Sequence, residues 1–164
     1  MIDIKFLKKV SIFKKLTDRQ LIKIAKVMRK RKFNADDYII EDDSTGHSLY
    51  VLLQGKVNIS KKLTMLIREN TDDCKKLASL SADTHPIFGE VGLVSDAKRT
   101  ANVIAQTDCE VYELTRNDFI KIAQQDYQIG FYVLAEIANN LAIKLKKTDE
   151  EVIKLTTALT LSFE

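Results

Sequence analysis

Apolar positions along the chain change period twice. Thr17, with Gln20 three residues later, forms a capping box, after which Leu21, Ile24, Ala25, Val27 and Met28 fall on one face of a helix. Phe6, Leu7, Val10, Ile12 and Phe13 predict a shorter amphipathic helix before it. The run Arg29-Lys30-Arg31-Lys32 closes the main helix with charges that suit its C-terminal dipole. Four clustered cations also suit nucleic acid, but a solvated helix end is their commoner meaning.

From 33 to 114 the period becomes two. Strands are expected at 37–41, 48–53, 56–61, 63–69, 75–80, 101–106 and 109–114, with Val57 and Ile59 or Val103 and Ala105 showing the alternation. Turn signals separate them at Asp42-Asp43-Ser44-Thr45-Gly46, Gln54-Gly55 and Asn70-Thr71-Asp72-Asp73. Short strands at such spacing predict a closed or two-sheet antiparallel structure such as a jelly roll.

Helical spacing returns at 115. Thr115 caps a short helix ending near Gln124, and Asp126 is placed to cap the next. Leu134, Ala138, Leu141, Leu145, Thr148, Val152, Leu155 and Leu159 then alternate steps of four and three, a heptad seam. Such a helix packs on its own β domain or on a second copy. The outer half favours self-association, because a β-roll of this size cannot cover so long a stripe. Thr148-Asp149-Glu150-Glu151 offers the one alternative, a new cap that breaks the seam. The expected fold is α+β, mainly β: a jelly-roll-like β-roll over 33–114, a helical lead over 1–32 and C-terminal helices over 115–164, forming one structural domain.

Composition narrows the chemistry. The 164 residues include 26 basic and 23 acidic side chains, and a net charge of +3 does not by itself imply a polyanion partner. An apolar share of 45% and a charged share of 30% describe an ordinary globule rather than a disordered chain. No apolar run approaches the roughly 18 residues of a membrane span, and no signal peptide opens the chain, so a cytoplasmic location is expected. Cys109 reads as a small core residue and Cys74 as exposed and inert. A metal-dependent cupin would want several clustered histidines, whereas His47 and His85 stand apart. Nucleophile elbow, Walker loop and GxGxxG are all missing. The expectation is a binding module with no enzyme activity, no metal and no resident cofactor.

Glycine is scarce, at five where average usage would give about eleven. One segment concentrates two of them: Phe88-Gly89-Glu90-Val91-Gly92-Leu93-Val94-Ser95-Asp96-Ala97-Lys98-Arg99-Thr100-Ala101. Gly89 allows a tight turn off a strand, residues 90–94 suit a short helical turn, and Gly92 admits close approach of a ligand. Arg99, expected to begin a strand across the same pocket, supplies a planar donor fork suited to phosphate. Glu90 offers an acceptor for sugar hydroxyls.

This segment resembles the phosphate-binding cassette of the cyclic nucleotide-binding domain family, which includes bacterial catabolite activators, protein kinase regulatory subunits and cyclic nucleotide-gated channels. The spacing from Phe88-Gly89-Glu90 to Arg99-Thr100-Ala101 matches the eukaryotic form without a gap. The resemblance extends over about residues 5–145, through Ser11-Ile12-Phe13, Gly46 before Leu49-Tyr50-Val51-Leu52, Gly55-Lys56-Val57 and the long closing helix. It implies that Arg99 pairs with the cyclic phosphate of cAMP or cGMP, that Glu90 holds the ribose 2′-hydroxyl, and that Gly89, Val91 and Gly92 complete the cradle with Thr100 and Ala101. Thr100 occupies a position where a hydroxyl assists cGMP in several members. Lys98 stands where many relatives have proline, and Asp36, Asp37, Asp42 and Asp43 stand where relatives place glycine. Asp tolerates turn conformations, so these changes bear on loop shape rather than on the pocket. Base-capping residues cannot be matched; Leu141, Lys144 and Leu145 are nearby candidates. An unliganded pocket is expected to leave Arg99 poorly paired. The module would act as a homodimer through its C-terminal helix and signal to an unnamed effector protein, without DNA or membrane. The alternative is a degenerate, ligand-free β-roll that serves as a scaffold for protein association.

Overall fold

The computed structural model describes residues 2–62 and 74–162; the strand expected at 63–69 and the turn at Asn70–Asp73 lie outside the described residues. Helices α1 (Ile4–Leu7) and α2 (Asp18–Val27) lead into eight strands: β1 (Arg29–Phe33), β2 (Tyr38–Ile40), β3 (Ser48–Gln54), β4 (Lys56–Lys62), β5 (Cys74–Ser81), β6 (Ile87–Phe88), β7 (Asn102–Ala105) and β8 (Cys109–Thr115). Helix α3 (Glu90–Val94) lies between β6 and β7, and α4 (Arg116–Gln125) and α5 (Tyr127–Leu161) close the chain. The strands form two antiparallel sheets, ordered β1-β8-β3-β6 and β2-β7-β4-β5.

Two apolar clusters hold these layers together. One lies between the sheets, around Leu52, Val57, Phe88, Ala105 and Val111. The other packs Leu7, Phe13, Leu21 and Ile24 of the helical lead with Leu49, Val51 and Leu114 of the first sheet and Ile129, Val133 and Ile137 of α5. Cys109 is buried and unpaired, as its strand pattern predicts. The capping box on α2 is present, with the Gln20 amide donating to Thr17 Oγ1 and the Thr17 amide to Gln20 Oε1.

The basic run does not close α2. That helix ends at Val27, and Arg29–Phe33 form β1, so the sheet begins four residues earlier than the polarity of the segment implies. Acidic neighbours explain how four cations sit on one edge strand. Lys30 and Lys32 both reach Glu110, Arg31 reaches Glu113, and Arg29 reaches Asp118. Alternation on the strand sends each pair of cations to one face, where β8 and α4 supply the acids. The shorter helix expected around Phe6, Leu7, Val10, Ile12 and Phe13 is likewise split, into α1 and a single 3₁₀ turn over Ser11–Phe13.

Aspartates occupy two left-handed positions, with φ of 68° at Asp36 and 62° at Asp43. Thr115 caps α4 by accepting from the Asp118 amide. Asp126 does not cap α5 with its side chain; it accepts instead from Lys23 at 2.8 Å and Gln20 at 3.3 Å, tying α5 to α2. Glu136 is the second tie. It is buried on α5 and accepts from Lys15 at 2.7 Å, which, with Lys14 close by, holds its carboxyl below the usual range. Helix α5 then runs unbroken through Thr148, whose hydroxyl donates back to the Lys144 carbonyl at 3.0 Å rather than starting a new helix. Every described residue from 142 onward is exposed.

Candidate functional site

Strand β6 is short, but it fixes the start of the site. Its two residues pair with Tyr50 and Val51 of β3, and Phe88 stacks on Tyr50 with ring centroids 5.4 Å apart. Gly89 follows at φ 75°, the left-handed conformation that only glycine adopts freely, and turns the chain into α3. Glu90 opens that helix with only 4% exposure. The Gly92 amide is already spent on the Gly89 carbonyl at 3.1 Å, which leaves Glu90 and Val91 as first-turn donors.

Arg99 reaches this turn from the far side. Arg99 does not begin a strand: residues 99 and 100 have no regular structure, Ala101 lies in a bend, and the strand expected to start at 101 begins at Asn102. The backbone of Arg99 pairs with the loop before β3, donating to Ser44 and accepting from Asp43 at 2.8 and 2.9 Å. Its guanidinium donates from Nη1 to the Gly89 carbonyl at 3.0 Å and from Nη2 to the Ser48 carbonyl at 2.9 Å. Two glycines flank it: a Cβ on Gly46 would stand 2.7 Å from Nε, and one on Gly92 would stand 2.5 Å from Nη1. At Gly92 a Cβ would also meet the Gly46 carbonyl oxygen, so backbone as well as the guanidinium crowds out a side chain there. Burial pulls the Arg99 pKa below its usual value, opposed by Tyr50 and Glu90. The charge persists, because arginine is not deprotonated in proteins. Arg99 is thus better paired than the sequence implies, yet it keeps donors for a further anion.

The seven residues singled out by sequence, Gly89, Glu90, Val91, Gly92, Arg99, Thr100 and Ala101, all line one cavity of about 110 Å³. Ile40, Ile59, Phe88 and Val103 form its apolar wall. Thr100 is exposed. Lys98 also lines the cavity; its side chain is 61% exposed and its ammonium pairs with Asp43 at 2.9 Å. A larger groove of about 820 Å³ lies along α1, α2 and Tyr112. It is lined mainly by apolar groups, with the exposed Lys26 and Lys30 and with Tyr112, and holds no buried charge.

Of the three candidates on the long helix, Leu141, Lys144 and Leu145, Lys144 alone lines the cavity, and its pairing with Glu90 is what sequence reasoning did not find. Lys144 of α5 donates to Glu90 Oε1 across 54 positions of sequence. No local pattern signals that contact, since it depends on how packing places α5 against α3. Among the described residues, no group of three or more His, Cys, Asp or Glu side chains could hold a metal ion, and no helix is long and apolar enough to cross a membrane.

The sequence matches the cyclic nucleotide-binding domain over residues 30–126, more than half of the chain. The chain belongs to that family. It is 34% identical over 120 residues to the cGMP-dependent protein kinase egl-4 of Caenorhabditis briggsae, covering 73% of this chain and 15% of the kinase. It is 32% identical over 117 residues to a cAMP-dependent protein kinase regulatory subunit of Hypocrea atroviridis, covering 71% of this chain and 22% of that subunit. The cyclic nucleotide-binding domain thus spans less than a quarter of either relative. The fold is shared with the catabolite activator protein of Thermus thermophilus, at TM-score 0.75 and 23% identity over 89% of this chain and 63% of that one. It is shared too with the cAMP-bound regulatory domain of Toxoplasma gondii PKA, at TM-score 0.63 and 24% identity over 73% of this chain and 42% of that one.

Proposed function

We propose that this cyclic nucleotide-binding domain is a sensor for cAMP or cGMP. One observation supports this most: a buried arginine and a buried carboxylate open into the same glycine-walled cavity. In this reading the cyclic phosphate takes the Arg99 donors left over from Gly89 and Ser48, together with the amides of Glu90 and Val91. Glu90 accepts from the ribose 2′-hydroxyl. The exposed Thr100 hydroxyl at the cavity edge and the cGMP-dependent kinases among the relatives favour cGMP as the first ligand to test. At 100 times its dissociation constant a ligand adds about 2.7 kcal/mol to domain stability. That corresponds to a rise of about 5–10 °C in melting temperature for a domain of this size. No shift with either nucleotide at millimolar concentration would favour the ligand-free scaffold.

The signal leaves through the outer half of α5 to an effector protein, and a second copy of the chain covers the heptad seam. Leu145, Val152, Leu155 and Leu159 support the second point, each more than half exposed along that seam. An isolated helix face of this apolar character is stable when paired with another. Sedimentation should therefore find a dimer, and the double substitution Leu145→Glu, Val152→Glu should give a monomer with an unchanged β-roll spectrum. A parent protein that sediments as a monomer at high micromolar concentration would reduce the seam to solvated surface.

A further inference from the structure

Behind Arg99 a run of polar contacts crosses the first sheet. The guanidinium donates from Nη2 to the Ser48 carbonyl at 2.9 Å, and the Ser48 hydroxyl donates to Glu113 Oε1 at 2.8 Å. Arg31 Nε donates to the other oxygen of that carboxylate at 2.9 Å. Three neighbouring strands carry these groups, in the order β1-β8-β3. Glu113 lies opposite Tyr50 in the register of β8 with β3, so it shares a face with Tyr50 and with Ser48. The next pair on that face, Leu52 with Val111, belongs to the apolar cluster between the sheets. Ser48 is buried, and the Glu113 side chain is only 13% exposed. Glu113 does not itself line the cavity.

We infer that Glu113 is a positioning residue for the candidate phosphate site: through Ser48 it sets the carbonyl on which the Arg99 guanidinium hangs. Burying a carboxylate costs more than burying an apolar side chain, and at this place it supplies what an apolar side chain could not, an acceptor for the Ser48 hydroxyl. Arg31 holds the second oxygen, so the carboxylate presents the first in one orientation. A serine bonded to it is fixed where the loop before β3 enters the sheet. The Ser48 carbonyl has little room of its own, since a Cβ on Gly89 would stand 2.9 Å from it. Any turn of Ser48 therefore moves Arg99 against α3. The effect on ligand affinity rests on the proposed nucleotide binding, whereas the effect on Arg99 does not.

A hydrogen bond to a charged group is worth about tenfold or more in an equilibrium. The test uses the full chain with Ser48→Ala, Glu113→Leu, Glu113→Gln and the double variant Ser48→Ala, Glu113→Leu. Calorimetric titration reads affinity for cGMP and cAMP. NMR without ligand reads solvent exchange of the Arg99 guanidinium protons, assigned by their loss in Arg99→Lys. Ser48→Ala and Glu113→Leu should each weaken binding about tenfold, and the double variant no more than either, because both break one link. Glu113→Gln keeps an acceptor for the hydroxyl and should stay within about threefold of the parent. Guanidinium exchange should quicken about fivefold in Ser48→Ala and in Glu113→Leu, and little in Glu113→Gln. A double variant that loses the product of the two single losses, about a hundredfold, overturns the inference, since Glu113 would then act apart from Ser48. Unchanged guanidinium exchange in Glu113→Leu overturns it as well; if that variant does not fold, unchanged exchange in Ser48→Ala does so in its place. If the parent binds neither nucleotide, the nucleotide reading fails, and guanidinium exchange alone decides whether Glu113 positions Arg99.

Discussion

Replacing Arg99 by alanine should lower affinity for the cyclic nucleotide by roughly 30- to 5,000-fold, the range for truncating one member of a desolvated charge pair at about 2–5 kcal/mol. The guanidinium is buried, held by two carbonyls and pressed between Gly46 and Gly92. Lys98 is the control. Its ammonium faces Asp43 and solvent, and Lys98→Ala should cost less than about fivefold. Glu90→Ala should fall between the two. Equal losses at Arg99 and Lys98 would mean that a diffuse basic patch attracts the ligand. The effect on the unliganded fold differs from the sequence expectation. An arginine alone in its pocket would be neutral or costly, but Arg99 satisfies the carbonyls of Gly89 and Ser48. Its removal should therefore destabilise the domain by about 1–3 kcal/mol, measurable by denaturant titration without nucleotide.

Gly92→Ala should damage the fold and the candidate site together. Its Cβ would lie 2.5 Å from Arg99 Nη1 and closer still to the Gly46 carbonyl oxygen. Backbone lies on one side and a pinned guanidinium on the other, so neither neighbour can yield without displacing α3 or the loop before β3. Overpacking of this kind costs about 1–3 kcal/mol, a fall of about 3–10 °C in melting temperature. Cyclic nucleotide affinity should fall with it by at least about tenfold, because Arg99 moves off its carbonyls. Thr100→Ala, an exposed neighbour in the same segment, should leave stability within about 0.5 kcal/mol of the parent. A Gly92→Ala protein that melts with the parent would show that the glycine is not a steric requirement.

The parts of the molecule that chain-local chemistry encodes are the parts the sequence makes legible. The capping box at Thr17, the α4 cap at Thr115, the left-handed aspartates and the Gly89 turn each depend on residues within a few positions of one another. The cassette is legible for the same reason, since Phe88 to Ala101 carries its glycines, acid and arginine in a single run. Strand β1 is not, because its four cations are neutralised by Glu110, Glu113 and Asp118, about 80 positions away in sequence. Strand β6 has only two residues and therefore no period to read. Lys144 illustrates the same limit within the site. A lysine on the polar side of a long helix is unremarkable until the helix is placed over Glu90.

Where α5 is tied down also sets its mechanical gain. Ile137 is its last fully buried residue, which makes that point the fulcrum of a lever extending 24 residues to Leu161, about 36 Å at 1.5 Å per residue. Lys144 acts only seven residues, about 10 Å, from the same point. A shift of about 2 Å at the lysine, enough to part an ion pair, would carry the far end of a rigid helix about 7 Å. In the proposed sensor, a displacement at the cavity would therefore be enlarged more than threefold at the far end of the helix.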